Sequence, residues 1–119
     1  MMRLSTGIIW LFLRNAKEMN IEQLIIKTFE SFNPIKIIIF GSYARNEQDE
    51  HSDIDIIVVY DTNKKFLDRL KELYMEWNIP KAVDILAYTP EEYERMLKQS
   101  AFVYDAVTQG KIIYERKYE

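Results

Sequence analysis

Apolar residues recur along this chain in two ways, every three to four positions in some segments and as short continuous runs in others. The first pattern is typical of amphipathic helices, and the continuous runs, which are rich in isoleucine and valine, are typical of buried strands. Asparagine, proline and glycine stand where these segments should end. The predicted elements are helix 21–32, strand 35–40, strand 56–59, helix 66–77, strand 81–88, helix 90–99, helix 101–110 and strand 111–114.

This succession of elements predicts an α/β (α+β) fold in which a short mixed β-sheet is flanked by helices. With 119 residues, of which 48% are hydrophobic, the chain is the size of one domain. Met19 precedes the first predicted helix, so we expect the domain to comprise residues 19–119 and residues 1–18 to be an N-terminal extension. Thr89 to Glu92 forms a capping-box pattern with proline at the first helical position, and we assign Glu91 and Glu92 only to this helix start.

The amino-acid composition argues against several classes of protein function. There is no cysteine, hence no disulfide framework, no thiolate zinc site and no cysteine nucleophile, which fits a reducing cytoplasm. The net charge is −3 and no basic stripe is evident, so direct nucleic-acid binding is not expected. The apolar run at 8–13 is far shorter than the about 20 residues that cross a bilayer, so we expect no membrane anchor. Tyr74, Tyr93 and Tyr104 fall on apolar helix faces and are predicted to pack in the core.

Two aspartates stand at the entrance of the predicted strand 56–59. Side chains alternate along a strand, so Asp53 and Asp55 should face the same side roughly 7 Å apart, while Ile54 and Ile56 face the other. Mg²⁺ prefers oxygen ligands and usually takes one or two carboxylates together with substrate phosphates. The pair is therefore predicted to bind a metal ion.

A Gly-Ser turn follows the predicted strand 35–40 and precedes the aspartates by ten residues. Gly41 can adopt backbone angles closed to other residues, and Ser42 offers a hydroxyl and an amide to phosphate oxygens. Arg45 could add a charged donor, and a short helix over 43–47 would add unpaired amides with a favourable dipole. Together with the aspartates, this turn predicts a site for a metal-bound triphosphate.

The segment KIIIFGSYARNEQDEHSDIDIIVV, residues 36–59, resembles the core of the minimal nucleotidyltransferases, small members of the DNA polymerase beta-like superfamily. Their pattern is Gly-Ser, ten residues, then Asp-x-Asp. The family also uses a third carboxylate on a later strand, and Asp84, within KAVDILAY at 81–88, fits that position. Asn46 stands where members often have glycine, and since asparagine tolerates left-handed backbone angles the turn should survive.

The resemblance implies nucleotidyl transfer from ATP, with Asp53, Asp55 and Asp84 as catalytic and metal-binding residues and with two Mg²⁺ ions, for which Mn²⁺ could substitute. Minimal members of this size resemble antitoxins that inactivate HEPN-domain ribonuclease toxins by transferring AMP to a toxin tyrosine. The leading hypothesis is therefore a protein adenylyltransferase that acts on a HEPN toxin. A nucleotidyltransferase for a small hydroxylated molecule such as an aminoglycoside, and an antitoxin that binds without catalysis, remain alternatives. The oligomeric state stays open.

Overall fold

The computed structural model describes residues 19–117, in which helices cover both faces of a four-stranded sheet. The predicted extension 1–18 lies outside the described residues. Within the described part, no helix is long and apolar enough to cross a membrane. The helices are α1 (Ile21–Phe29), α2 (Phe66–Glu76), α3 (Pro90–Gln99) and α4 (Ala101–Gln109), and the strands are β1 (Lys36–Phe40), β2 (Ile54–Val59), β3 (Val83–Tyr88) and β4 (Lys111–Glu115).

The sheet has the strand order β3-β2-β1-β4. Strand β1 is antiparallel to both β2 and β4, whereas β2 and β3 are parallel. Parallel neighbours need a crossover connection, and helix α2 supplies it. The predicted α/β class with a short mixed sheet is confirmed.

Each face of the sheet has its own hydrophobic cluster. On the first face, Ile25 of α1 and Leu73 of α2 pack in one cluster with Ile54 and Ile56 of β2. On the second face, residues of α3 and α4 pack with Ile57, the next residue along β2. Because side chains alternate along a strand, Asp55 belongs to the second face, as the sequence pattern predicted.

The ends of the first predicted helix follow from local chemistry. Asn20 and Gln23 form a reciprocal capping box at the start of α1. The α-helix ends at Phe29 and the chain continues as a 3₁₀ turn through Phe32, after which Asn33 takes a left-handed conformation with φ 51°. Asparagine is among the few residues that adopt this conformation readily, and the chain then enters β1.

A partly buried ion pair connects the helices on the two faces around the β3 edge. Arg69 of α2 is 6% exposed, and its Nη1 donates to Glu92 Oε1 of α3 at 2.5 Å. Its Nε donates to the Lys64 carbonyl at 2.7 Å. Glu92 also accepts from the Thr89 backbone N–H at 2.8 Å, which confirms the predicted capping box, whereas the bond from Arg69 shows that assigning Glu92 to the helix start alone was incomplete. Burial acts to raise the pKa of Glu92, but hydrogen bonds from Arg69 and Thr89 outweigh it and hold the pKa below its ordinary value.

The tyrosine prediction was correct at one of three positions. Tyr93 is buried against the second face of the sheet. Tyr104 is 55% exposed, because Val103 and Ala106 are the residues through which α4 packs. Tyr74 is 41% exposed, and its hydroxyl accepts a hydrogen bond from the Ile85 backbone N–H at the sheet edge.

Candidate active site

The Gly-Ser turn is a tight 3₁₀ turn, Gly41–Tyr43, that begins where β1 ends. Gly41 has φ +71°, in the region that favours glycine, as its position in the motif predicted. The short helix considered for residues 43–47 does not form, and the 3₁₀ turn is followed by an irregular turn. A left-handed residue, Asn46 with φ 57°, prevents helical continuation, and the predicted tolerance of asparagine for this angle is confirmed.

Gly41 lies directly against the carboxylate of Asp55. A Cβ placed on Gly41 would stand 2.4 Å from Asp55 Oδ2, so only a hydrogen atom fits between the turn and the carboxylate. The approach follows from the strand register, in which Phe40, the last residue of β1, pairs with Asp55 of β2. The two halves of the sequence motif therefore form one site, although ten residues separate them.

Asp84 completes a row of paired residues across the sheet. In the parallel pairing of β2 with β3, Asp55 is the register partner of Asp84. Directly paired residues have their side chains on the same face, so the two carboxylates are neighbours. Asp53 lies just before β2 and is exposed. The structure thus places Asp84 beside Asp55, and Asp53 near enough for its charge to act on Asp55.

The charges of these groups interact. Burial raises the pKa of Asp55, and the charge and hydrogen bonding of Asp84 and the charge of Asp53 raise it further, while the Arg45 guanidinium acts in the opposite direction. Arg45 itself is partly exposed, and its Nε donates to Glu47 at 3.0 Å. Asp55 therefore interacts with two neighbouring carboxylates, Asp84 and Asp53, and with one positively charged side chain, Arg45.

The donor set suits a hard divalent cation that also contacts a substrate. Among residues 19–117, no three His, Cys, Asp or Glu side chains already stand together as a metal site. The carboxylates that converge on Asp55 repel one another, and a cation would remove this repulsion. Because Mg²⁺ usually takes only one or two carboxylates and fills its remaining positions with water and phosphate oxygens, the residues present fit this metal. Their role as metal ligands stays a prediction.

A groove of about 350 Å³ opens in front of Asp55. One wall of the groove is formed by the Gly41 turn and the strand residues next to it, and helix α4 forms the opposite wall. The sequence analysis did not identify this wall, although its residues recur at helical spacing along one face of α4. The residues of the α4 wall are Phe102, Asp105, Ala106 and Gln109, and those of the facing wall are Phe40, Gly41, Arg45 and Asp55.

Comparison with known proteins agrees with the sequence resemblance. The family model described as polymerase beta, nucleotidyltransferase matches residues 23–119. A Methanocaldococcus jannaschii protein, provisionally named protein adenylyltransferase MJ0435, is 45% identical over 69 residues, which cover 55% of this chain and 74% of that protein. A Haemophilus influenzae protein, named a probable protein adenylyltransferase, MntA, is 33% identical over 64 residues, which cover 50% of this chain and 56% of that protein.

Solved structures with the same fold include toxin–antitoxin complexes. A toxin–antitoxin crystallised with AMP-PNP contains a chain that matches with a TM-score of 0.57 and 27% identity, over 82% of this chain and 76% of that one. The toxin–antitoxin MntA-HpeT, in a variant with two aspartates two positions apart changed to glutamate, matches with a TM-score of 0.56 and 26% identity. That match covers 83% of this chain and 76% of the other.

Proposed function

We propose that this chain, which belongs to the polymerase beta nucleotidyltransferase family, transfers AMP from ATP to a hydroxyl group of a partner protein. The proposed acceptor is a tyrosine of a HEPN-domain ribonuclease toxin, which would make the chain an antitoxin. Two kinds of similarity support this choice. The curated relatives are named protein adenylyltransferases, and the structural neighbours come from toxin–antitoxin complexes, one of them crystallised with an ATP analogue.

The observation that carries the proposal is the position of Asp55 between the Gly41 turn and Asp84. Gly41 directly follows the last residue of β1, and Asp55 and Asp84 lie on the next two strands of the sheet, β2 and β3. Nucleotidyl transfer needs the leaving pyrophosphate on one side of the α-phosphorus and the attacking hydroxyl on the opposite side. The Gly41 turn on one side of Asp55 and the Asp84 carboxylate on the other side match that requirement.

The phosphate side of the site has a defined set of donors. Gly41 and Ser42 would hold the β- and γ-phosphates through backbone N–H groups and the serine hydroxyl. Arg45 could turn from Glu47 to a phosphate oxygen, since its ion pair with Glu47 is largely exposed and exposed pairs contribute little. The turn therefore orients the triphosphate with its α-phosphorus toward Asp55.

The carboxylates would hold two divalent cations, with Asp53 and Asp55 shared between both and Asp84 belonging to the second. When bound, the cations neutralise phosphate charge and stabilise the attacking and leaving oxygens. In the transfer step the acceptor oxygen forms a bond to the α-phosphorus, the bond to the bridging oxygen breaks, and pyrophosphate leaves. Asp84 takes the proton of the acceptor hydroxyl.

Intact mass measurement of the acceptor tests the proposal. The protein is incubated with ATP, Mg²⁺ and the product of a neighbouring HEPN-type gene, and in parallel with aminoglycosides. We expect an AMP-sized addition on the partner protein that maps to a tyrosine. Asp55→Asn should abolish the addition. Asp61→Asn changes an exposed aspartate just beyond the other end of β2 and should retain it.

Other outcomes would identify the alternatives. An AMP-sized addition on an aminoglycoside, with none on the protein, would favour the small-molecule transferase. Neutralisation of the toxin by Asp55→Asn with no mass change on the toxin would favour binding without catalysis. Either result would contradict the proposed acceptor.

A further inference from the structure

An exposed aromatic ring stands next to the carboxylate site. Phe102, on the first turn of α4, is 62% exposed although it is a large apolar side chain. Its ring meets the ring of Phe40 edge to face, with centroids 6.0 Å apart and planes at 86°. Phe40 is the register partner of Asp55, so the aromatic pair extends the row that Asp55 and Asp84 begin.

Polar side chains accompany this ring on the same helix face. Phe102, Asp105 and Gln109 lie at positions i, i+3 and i+7, and all three line the groove in front of Asp55. Asp105 and Gln109 are exposed. Asp105 carries the same charge as a phosphate and would repel it, so this wall suits hydrogen-bond donors of a nucleoside and not the phosphate chain. An aromatic face beside hydrogen-bonding groups is how proteins bind a base.

The order of residues across the sheet indicates which substrate meets the ring. On the second face Phe40, Asp55 and Asp84 lie side by side on β1, β2 and β3, and Phe102 of α4 contacts Phe40. Asp84 occupies the side from which the acceptor hydroxyl would approach. Phe102 lies on the opposite side, next to the Gly41 turn, where the nucleoside triphosphate would bind. The ring therefore belongs to the nucleotide's half of the site.

We infer that Phe102 stacks against the base of the bound nucleoside triphosphate and that Asp105, one turn further along α4, accepts a hydrogen bond from the nucleoside. The edge-to-face contact with Phe40 holds the Phe102 ring in place. The inference rests on the proposed function for the choice of ATP as the nucleotide. The α4 wall of the groove therefore determines which base is bound, whereas the carboxylates and the Gly-Ser turn bind the metal ions and the phosphates.

Binding measurements without any acceptor test the inference. The dissociation constants of ATP and of inorganic triphosphate, both with Mg²⁺, are measured for the wild-type protein and for Phe102→Ala, Phe102→Trp and Tyr104→Ala. Inorganic triphosphate has the phosphates but no base. Tyr104 is an exposed aromatic residue on the same helix that does not line the groove, so Tyr104→Ala is the matched control.

We expect Phe102→Ala to weaken ATP binding about 5- to 150-fold, the range produced by loss of one base–aromatic stack, and to leave triphosphate binding within about twofold. Phe102→Trp should retain ATP binding, and Tyr104→Ala should resemble the wild type. Equal ATP affinity in the wild type and Phe102→Ala, or an equal loss for ATP and triphosphate, would overturn the inference.

Dissociation constants of the other nucleoside triphosphates, measured for the same variants, separate the inference from the proposed function. A wild-type protein that binds another nucleoside triphosphate more tightly than ATP, with the same loss in Phe102→Ala, would support the stacking wall and contradict ATP as the substrate. A wild-type protein that binds ATP no more tightly than inorganic triphosphate would overturn the wall while leaving nucleotidyl transfer to be judged by acceptor labelling.

Discussion

Asp55 and Asp84 are register partners in the parallel pairing of β2 with β3. Two carboxylates held side by side by backbone pairing repel each other, and the pKa of Asp55 is raised by burial and then by Asp84. A fold that needed only stability would gain by replacing one of them. The pair therefore indicates a binding function, and each of its members can be tested separately from the stability of the domain.

Asp84→Asn should lower transfer while making the protein slightly more stable. The amide keeps the size of the side chain but cannot take a proton from the acceptor, and loss of a general base lowers a rate about 100-fold or more. Removal of the like charge beside Asp55 should raise the thermal midpoint. Transfer rates and thermal unfolding are measured on the same samples, and a variant that loses both activity and stability would assign Asp84 a structural role.

Gly41→Ala should damage both the turn and the carboxylate site. The left-handed backbone alone costs about 1–2 kcal/mol for a residue with a Cβ, and the new methyl group would collide with the Asp55 carboxylate. We expect a lower free energy of unfolding, measured in urea, and a large loss of triphosphate binding. Full triphosphate affinity in the folded variant would show that the turn does not hold the phosphates.

Asn46 offers a matched pair of changes at the second left-handed position of the loop. Asn46→Ala should reduce the free energy of unfolding by about 1 kcal/mol, because alanine lacks the local hydrogen bonding that lets asparagine adopt φ 57°. Asn46→Gly should stay within about 0.5 kcal/mol of the wild type, since glycine adopts this angle freely. Equal loss in both variants would mean that the asparagine side chain, and not its backbone angle, matters here.

The ion pair between Arg69 and Glu92 should make stability depend on pH in the acid range. The pKa of Glu92 is held below its ordinary value of 4.5, so its contribution is complete above pH 4.5 and is lost as the pH falls through the lowered folded value. Glu92→Gln keeps a capping side chain but removes the charge, and should cost about 2 kcal/mol at pH 7.

The difference in stability between the wild type and Glu92→Gln should then shrink below pH 4.5. Urea unfolding across a pH series measures it, with the exposed neighbour Glu91→Gln as the control that should change little at any pH. A constant difference between pH 7 and pH 3 would show that packing, and not the ion pair, accounts for the effect of Glu92→Gln.

Local patterns in the sequence were sufficient for most elements of the fold. The helices and strands follow from hydrophobic spacing and from end signals such as Thr89 and Pro90, because these act over a few residues. The Gly-Ser and Asp-x-Asp motif identified Gly41 and Asp55 for the same reason. The resemblance to a family added Asp84, whose place next to Asp55 depends on pairing between strands far apart in sequence.

Features that depend on the packing of helices against the sheet could not be predicted in the same way. Helical spacing shows that Phe102 and Asp105 share one face of α4. It does not show that this face lines the groove in front of Asp55, or that Tyr104 faces solvent. Likewise, nothing in the sequence distinguished Arg69 from the other polar residues of α2. Its burial results from the meeting of α2 and α3 around the edge of β3, which no local signal in the sequence reveals.

The central claim is that the groove around Asp55 transfers the α-phosphoryl group of ATP together with its nucleoside. It is tested most directly by incubating the protein, Mg²⁺ and the candidate toxin with ATP radiolabelled at either the α- or the γ-phosphate. The account predicts label on the toxin from α-labelled ATP only, labelled pyrophosphate from γ-labelled ATP, and neither product with Asp55→Asn. Label on the toxin from γ-labelled ATP, or transfer of the α-label that survives in Asp55→Asn, would contradict it.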